Sequence, residues 1–365
     1  MSGGRVPTAT RTVGLLLAFA VLGCGVEPGR ITDCVPKDGV TPICGFHNPE
    51  DLALLPGAGW LAVSEYGGDA AAAGALVAFR VNDGRKLELF PAPSAGAATG
   101  ARRGAADCPG PPDPARFSPH GLDVDRRAHR LAVVNHGSRE AVELFQVGQS
   151  PRGPALAWQG CVPLPPGAWA NDVALLSNGG FVVTQMLEKG GLSGAFSLVK
   201  LLAGLDTGRV LEWLPGKGFH DVPSSGGRGP NGVVATPDGR EIYFAEWTGL
   251  RLVRLRIRDD GTAVRDEVAL PHRPDNITWT PDGRLLVTGQ VGRIGDVLGC
   301  RGTRPGTCAL PFSVVLVDPA TLDTRTLLDH PATAQGAGTV ALEVGDEMWI
   351  GTFDGDRLAR TPFPR

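Results

Sequence analysis

Glu50, Asn171, Asn231, Asp275 and Asn276 are the residues of this chain whose types and spacing suggest chemistry. They stand where apolar, β-branched runs begin, and each run meets a turn at a constant distance. Glu50, His120, Asn171, Asn231, Asp275 and Gly338 are all followed seven positions later by a turn residue, at 57, 127, 178, 238, 282 and 345. With the neighbours Asp51 and Asp172, the set offers oxygen donors and a single imidazole, His120. Carboxylates and amide oxygens without thiolates match a hard cation, and the flexible, high coordination of calcium suits them best. Gathered without a cation, the carboxylates of Glu50, Asp51, Asp172 and Asp275 would repel one another and shift upward in pKa. Taken singly, these are ordinary strand-end turn and cap residues. The shared register sets them apart.

The elements that must position them repeat. The stretch RPDNITWTPDGRLLVT (273–288) has a polar pair, an apolar run, a Pro-Asp-Gly turn and a second apolar run, which is a hairpin signal. The same layout recurs in EDLALLPGAGWLAVSEY (50–66), NDVALLSNGGFVVTQM (171–186) and PNGVVATPDGREIYFAEW (230–247). Weaker copies are HGLDVDRRAHRLAVVNH (120–136) and GTVALEVGDEMWIGTF (338–353). Repeats of this kind, 44 to 70 residues apart, indicate an all-β fold, a six-bladed β-propeller with a central calcium-binding channel. The first strand of each repeat would run beside the axis in the same direction, so the residues that begin those strands would converge at one end. Residues of opposite strand parity face different ways, which would let Glu50/Asp51 and Asn171/Asp172 serve separate ions.

The rest of the sequence agrees with such a fold. Its 365 residues include 52 Gly and 31 Pro, punctuation suited to short strands and turns. A net charge of −3 without a basic stripe argues against nucleic acid as a partner. Arg5 and Arg11 precede VGLLLAFAVLGC, a run too short to span a bilayer that reads as an export signal. Its end resembles a bacterial lipobox with Cys24 as the lipidated residue, so the expected product is an exported, membrane-anchored lipoprotein. The expected organisation is a signal at 1–23, a linker at 24–44 and the propeller at 45–363. Six further cysteines in an exported chain suggest disulfides, and many pairings are open. Cys34–Cys44 and Cys300–Cys308 would be local staples, leaving Cys108–Cys161. Residues 92–114 read as a mobile Gly/Ala/Pro-rich loop, and SGAFSLVKLLAGL (193–205) as a short helix. No GxSxG elbow, HExxH or zinc-spaced Cys/His set occurs, which removes support for serine hydrolase and zincin chemistry.

Several stretches taken together are more specific. PEDLALL, FSPHGLDV, LAVVNHGSREAVELFQV, NDVALL, PNGVVATPDGREIYFAE, DNITW and GTVALEVGDEMWIGT, in this order, resemble the paraoxonase/arylesterase family of calcium-dependent six-bladed propellers. The resemblance runs from about Asn48 to Thr352. It implies two calcium ions on the axis. The upper, catalytic ion would be held by Glu50, Asn171, Asn231, Asp275 and Asn276, and the lower, structural ion by Asp51, Asp172 and the backbone carbonyl of Leu122. It also implies a catalytic dyad of His120 and His136, acting on a small-molecule lactone or aryl ester. Asp275 stays open as base or nucleophile. The sequence departs from the family in having no cysteine after Cys308, so ring closure must rely on strand pairing. Residues 66–116 and 187–229, the expected substrate walls, match poorly. Two other readings stand beside this one: a propeller hydrolase of the gluconolactonase or strictosidine-synthase type with one metal, and a non-catalytic propeller stabilised by calcium.

Overall fold

A computed structural model describes residues 28–57, 59–68, 73–91, 103–300 and 305–365. The export signal, Cys24 and residues 92–102 lie outside the described residues. The remainder forms six four-stranded sheets arranged as the blades of a propeller. The innermost strands are Pro49–Leu54, Pro119–Asp125, Ala168–Leu175, Pro230–Ala235, Arg273–Trp279 and Gly338–Val344. Each is followed by an antiparallel partner across a tight turn, at the positions the repeat specifies. In five of these turns a glycine, Gly57, Gly179, Gly239, Gly283 or Gly345, takes a positive φ that a side chain would resist.

The second strand of each blade is largely buried on both faces, which is why runs such as LAVV (131–134) and LLV (285–287) are apolar throughout rather than alternating. The core lies between blades. Leu122, Leu131 and Phe145 of the second blade pack on Ala62, Leu76 and Phe90 of the first. Trp349 of the last blade is fully buried beside Phe79 of the first, with ring centroids 5.6 Å apart. Burying one such aromatic side chain contributes roughly 2–3 kcal/mol.

Thr41–Cys44, expected within a linker, is the outer strand of the last blade and pairs with Arg357–Arg360. The propeller therefore begins before residue 45. The chain's two ends meet in one sheet, so ring closure rests on strand pairing. The Arg357 guanidinium, wholly buried, fixes the incoming segment by donating to the Ile31 and Asp33 carbonyls at 2.9 and 2.5 Å. The three disulfides are Cys34–Cys44, Cys108–Cys161 and Cys300–Cys308. The end of the 92–114 loop is pinned rather than free. Arg103 and Ala105 donate to the carbonyls of Gln159 and Cys161, and Cys108 is bonded to Cys161. The helix expected after residue 190 spans Gly191–Leu202, and a second, unanticipated one spans Ile294–Gly299.

Candidate functional site

All six innermost strands break register at the same place, between Pro49 and Asp51, Pro119 and Leu122, Ala170 and Val173, Pro230 and Val233, Pro274 and Ile277, and Gly338 and Ala341. A bulge sets two residues against one on the partner strand and re-aims their side chains. The sequence suggests that opposite strand parity lets the members of a pair face different ways; a bulge at each pair adds to that simple alternation. Glu50/Asp51, Asn171/Asp172 and Asp275/Asn276 are all buried at the axis. Glycine serves as the second member in two blades. At Gly121 an added Cβ would lie 2.4 Å from Asp172 Oδ1, and at Gly232 it would lie 2.4 Å from the Asp275 carbonyl oxygen. Such close approach between neighbouring inner strands leaves no room for a side chain there.

The five residues implied for the catalytic ion, the upper ring, all lie buried at these bulges. Asn276 Nδ2 donates to Glu50 Oε1 at 2.8 Å across 226 residues of sequence. Gln290 Nε2 donates to Asp275 Oδ2 at 2.5 Å and to the Gly338 carbonyl at 3.1 Å, and is itself oriented by Trp247 Nε1. Four buried oxygens of the ring have no hydrogen-bond partner: Glu50 Oε2, Asn171 Oδ1, Asn231 Oδ1 and Asn276 Oδ1. One such atom costs about 1–3 kcal/mol, so four in one ring are not explained by stability. Two carboxylates and three amide oxygens, buried at the bulges of the inner strands, make a donor set that fits a calcium ion. Among the described residues, no three Asp, Glu, His or Cys side chains form a metal cluster by themselves; the amides complete the donor set.

Electrostatics point the same way. Burial pushes the Glu50 carboxyl well above its usual range, and Asp51 and Asp275 add to the shift. Burial raises Asp275 and Asp51 to about 7 each and lifts Asp172 well above its ordinary value, with Asp51 contributing. A cation among these groups would reverse those shifts.

The lower residues do something the sequence does not reveal. Asp51 Oδ2 accepts from the Leu122 N–H at 2.8 Å, and Asp172 Oδ2 accepts from the Val233 N–H at 2.8 Å. Their other oxygens accept from Leu52 N–H and Val173 N–H at 2.8 and 2.7 Å. Asp51 and Leu122 are thus brought together, but through the Leu122 amide rather than its carbonyl. A third buried carboxylate, Asp123, accepts from Leu175 N–H at 2.7 Å, and burial raises its pKa to about 6. Each aspartate clasps the inner strand of the following blade. Threonines do the same at other joints, Thr278 to the Ala341 carbonyl and Thr339 to the Glu50 carbonyl, both at 2.6 Å. These three aspartates also line a cavity of about 1780 Å³ that opens at the turn end of the channel, away from the upper ring. Asp172→Ala is expected to leave two buried N–H groups unpaired and to cost about 2–4 kcal/mol. Asp275→Ala, which strips no backbone bond, is expected to lower Tm less when both variants are melted without calcium. Equal melting temperatures for the two variants would contradict this division of labour.

The histidine pair is in contact. His120 Nδ1 lies 3.1 Å from His136 Nε2, and His120 Nε2 lies 3.8 Å from Glu50 Oε1, too long for a hydrogen bond. Tyr66 stacks on His120 with centroids 4.5 Å apart, and Trp169 stacks on His136 at 5.0 Å. Burial holds the His120 imidazole well below its ordinary pKa, so it is neutral at neutral pH. Behind the pair stands Glu140, whose Oε2 is 2.6 Å from His136 Nδ1. Sequence reasoning missed Glu140, Gln290, Asp123, Tyr66 and Trp169. Only Gln290 left a signal, as a polar residue closing an otherwise apolar strand.

Comparison with known proteins supports the fold. No family model matches the chain. One curated relative, strictosidine synthase-like 13 of Arabidopsis thaliana, is 29% identical over 120 residues, which is 33% of this chain and only 29% of that protein. Among solved structures, a gluconolactonase from Xanthomonas campestris superposes with a TM-score of 0.53 at 18% identity, covering 93% of this chain and 96% of its own. An aldose sugar dehydrogenase with bound PQQ, from Streptomyces coelicolor, gives 0.52 at 15% identity, covering 91% and 100%. At such identities the likeness shows the propeller fold, which hosts more than one chemistry.

Proposed function

We propose that the chain is a calcium-dependent hydrolase of lactones and aryl esters, working at the upper ring. The observation that carries this is the set of four unpartnered buried oxygens on Glu50, Asn171, Asn231 and Asn276, with Glu50 3.8 Å from the histidine pair. Glu50, Asn171, Asn231, Asp275 and Asn276 would hold the catalytic ion. When bound, the ion supplies Lewis-acid polarisation of a carbonyl and stabilisation of the oxyanion. His120 supplies a neutral imidazole within 4 Å of the ring, placed to take a proton from an attacking water. His136 accepts or returns that proton through the 3.1 Å contact. Gln290 holds Asp275 in place, so the carboxylate stays oriented toward the ring.

The paraoxonase-like motifs of the sequence favour a two-ion, esterase-and-lactonase variant. The engagement of both oxygens of Asp51 and of Asp172 by backbone N–H groups favours a one-ion lactonase of the gluconolactonase type. Two measurements on the purified protein separate these readings: calcium per chain by elemental analysis, and turnover of phenyl acetate against an aliphatic δ-lactone. Two ions with both substrates turned over is the expected result. One ion with lactone alone would select the second reading, and no turnover of either would overturn the proposal.

A further inference from the structure

We propose that Glu140 is a positioning residue that fixes the tautomers of both histidines, so that His120 presents the lone pair of Nε2 to the upper ring. This rests on the reading of that ring as the reacting centre. The assignment follows from what each group can donate. A carboxylate only accepts, and the 2.6 Å separation between Glu140 Oε2 and His136 Nδ1 is that of a charge-assisted hydrogen bond. The hydrogen on His136 therefore sits on Nδ1. Its Nε2 then carries a lone pair and accepts from His120 Nδ1–H at 3.1 Å. That leaves His120 Nε2 without a hydrogen, 3.8 Å from Glu50 Oε1, with room for a substrate atom or water between them.

The surroundings hold Glu140 to this task. Its second oxygen, Oε1, accepts from Lys189 Nζ at 3.1 Å, and its carbonyl accepts from Leu164 N–H. Neighbouring Arg139 does not compete, because it is spent on Glu143 with both contacts at 2.9 Å. Trp169, stacked on His136 at an interplanar angle of 17°, keeps that ring in the plane the hydrogen bonds require. Glu140 lies in the tight connection between the second and third strands of its blade, where Ser138 adopts a φ of 55°. The loop thus turns back on His136. Lys189 stands two residues before the helix Gly191–Leu202, so the same carboxylate ties the histidine pair to that segment.

The test reads ring protonation directly and does not depend on substrate. In protein labelled with ¹⁵N at histidine, with His120→Gln and His136→Gln used to assign signals, both rings are expected as Nδ1–H tautomers at neutral pH. Any other protonation pattern on His136 would overturn the proposal. In Glu140→Gln the amide can donate to His136 Nδ1, so the chain is free to reverse and place a hydrogen on His120 Nε2. Loss of the Nδ1–H signature is expected, with kcat down by roughly 10²–10⁴-fold and KM nearly unchanged. Unaltered tautomers and kcat in a folded Glu140→Gln protein would overturn the proposal. Lys189→Met, which keeps Glu140, is expected to leave the tautomers as they are. Lack of lactone turnover by the wild-type protein would count against the hydrolase reading but leave the tautomer result standing.

Discussion

Exhaustive chelation of calcium is expected to abolish lactone hydrolysis and to lower the melting temperature, the largest change anticipated for this protein. The stability effect follows from mass action: an ion that binds only the folded chain adds about 4 kcal/mol when its free concentration is a thousandfold above Kd. For a domain of this size that corresponds to a Tm shift of roughly 6 °C. Removing the ion also leaves Glu50, Asp275, Asp51 and Asp172 as buried carboxylates without a counter-charge, each pushed upward in pKa by burial. The loss of activity is expected to exceed roughly 10³-fold, since even one oxyanion-stabilising donor is commonly worth 10²–10³-fold. Differential scanning calorimetry and a lactone assay, each with and without added calcium, measure both. Melting and turnover unchanged by chelation and dialysis would eliminate the metal-ring reading.

The second large effect is expected from His120→Gln. Glutamine keeps the approximate volume and a polar end group but cannot take up a proton at neutral pH. Lactone kcat is expected to fall by roughly 10²–10⁴-fold, while calcium content and Tm stay close to wild type, because imidazole nitrogen is a poor ligand for a hard cation. Elemental analysis beside steady-state kinetics separates the two. A variant with full turnover would remove His120 from proton transfer and leave Asp275, held by Gln290 at 2.5 Å, as the remaining base. A variant that loses calcium along with activity would mean that His120 shapes the ring itself.

Much of this was legible in the sequence because a propeller repeats a local pattern. Hairpin turns at constant register, polar residues at the starts of apolar runs, and six cysteines beyond Cys24 are local facts of composition and spacing. They implied six blades, an axial ring and the short-range disulfides. Ring members on different blades could be grouped because the fold's symmetry carries equivalent positions to one place. Asn276 and Glu50, 226 residues apart, meet for that reason.

Other features had no local signature. A bulge is a mismatch of hydrogen-bond register between two strands, so no inner strand announces its own; the six aligned bulges exist only once partners are paired. The role of Thr41–Cys44 as an outer strand was hidden because its partner, Arg357–Arg360, lies at the other end of the chain. Asp123 looked like one more acid in HGLDVD until the next blade placed Leu175 N–H 2.7 Å away. Nothing local in the sequence marks Glu140, whose Oε2 lies 2.6 Å from His136 Nδ1. The sequence by itself determined which residue types begin each strand and how often, because periodicity and turn chemistry act over a few residues. Tertiary structure alone decided which donor faces which acceptor, because hydrogen bonds are set by ångström distances between segments that sequence order does not relate.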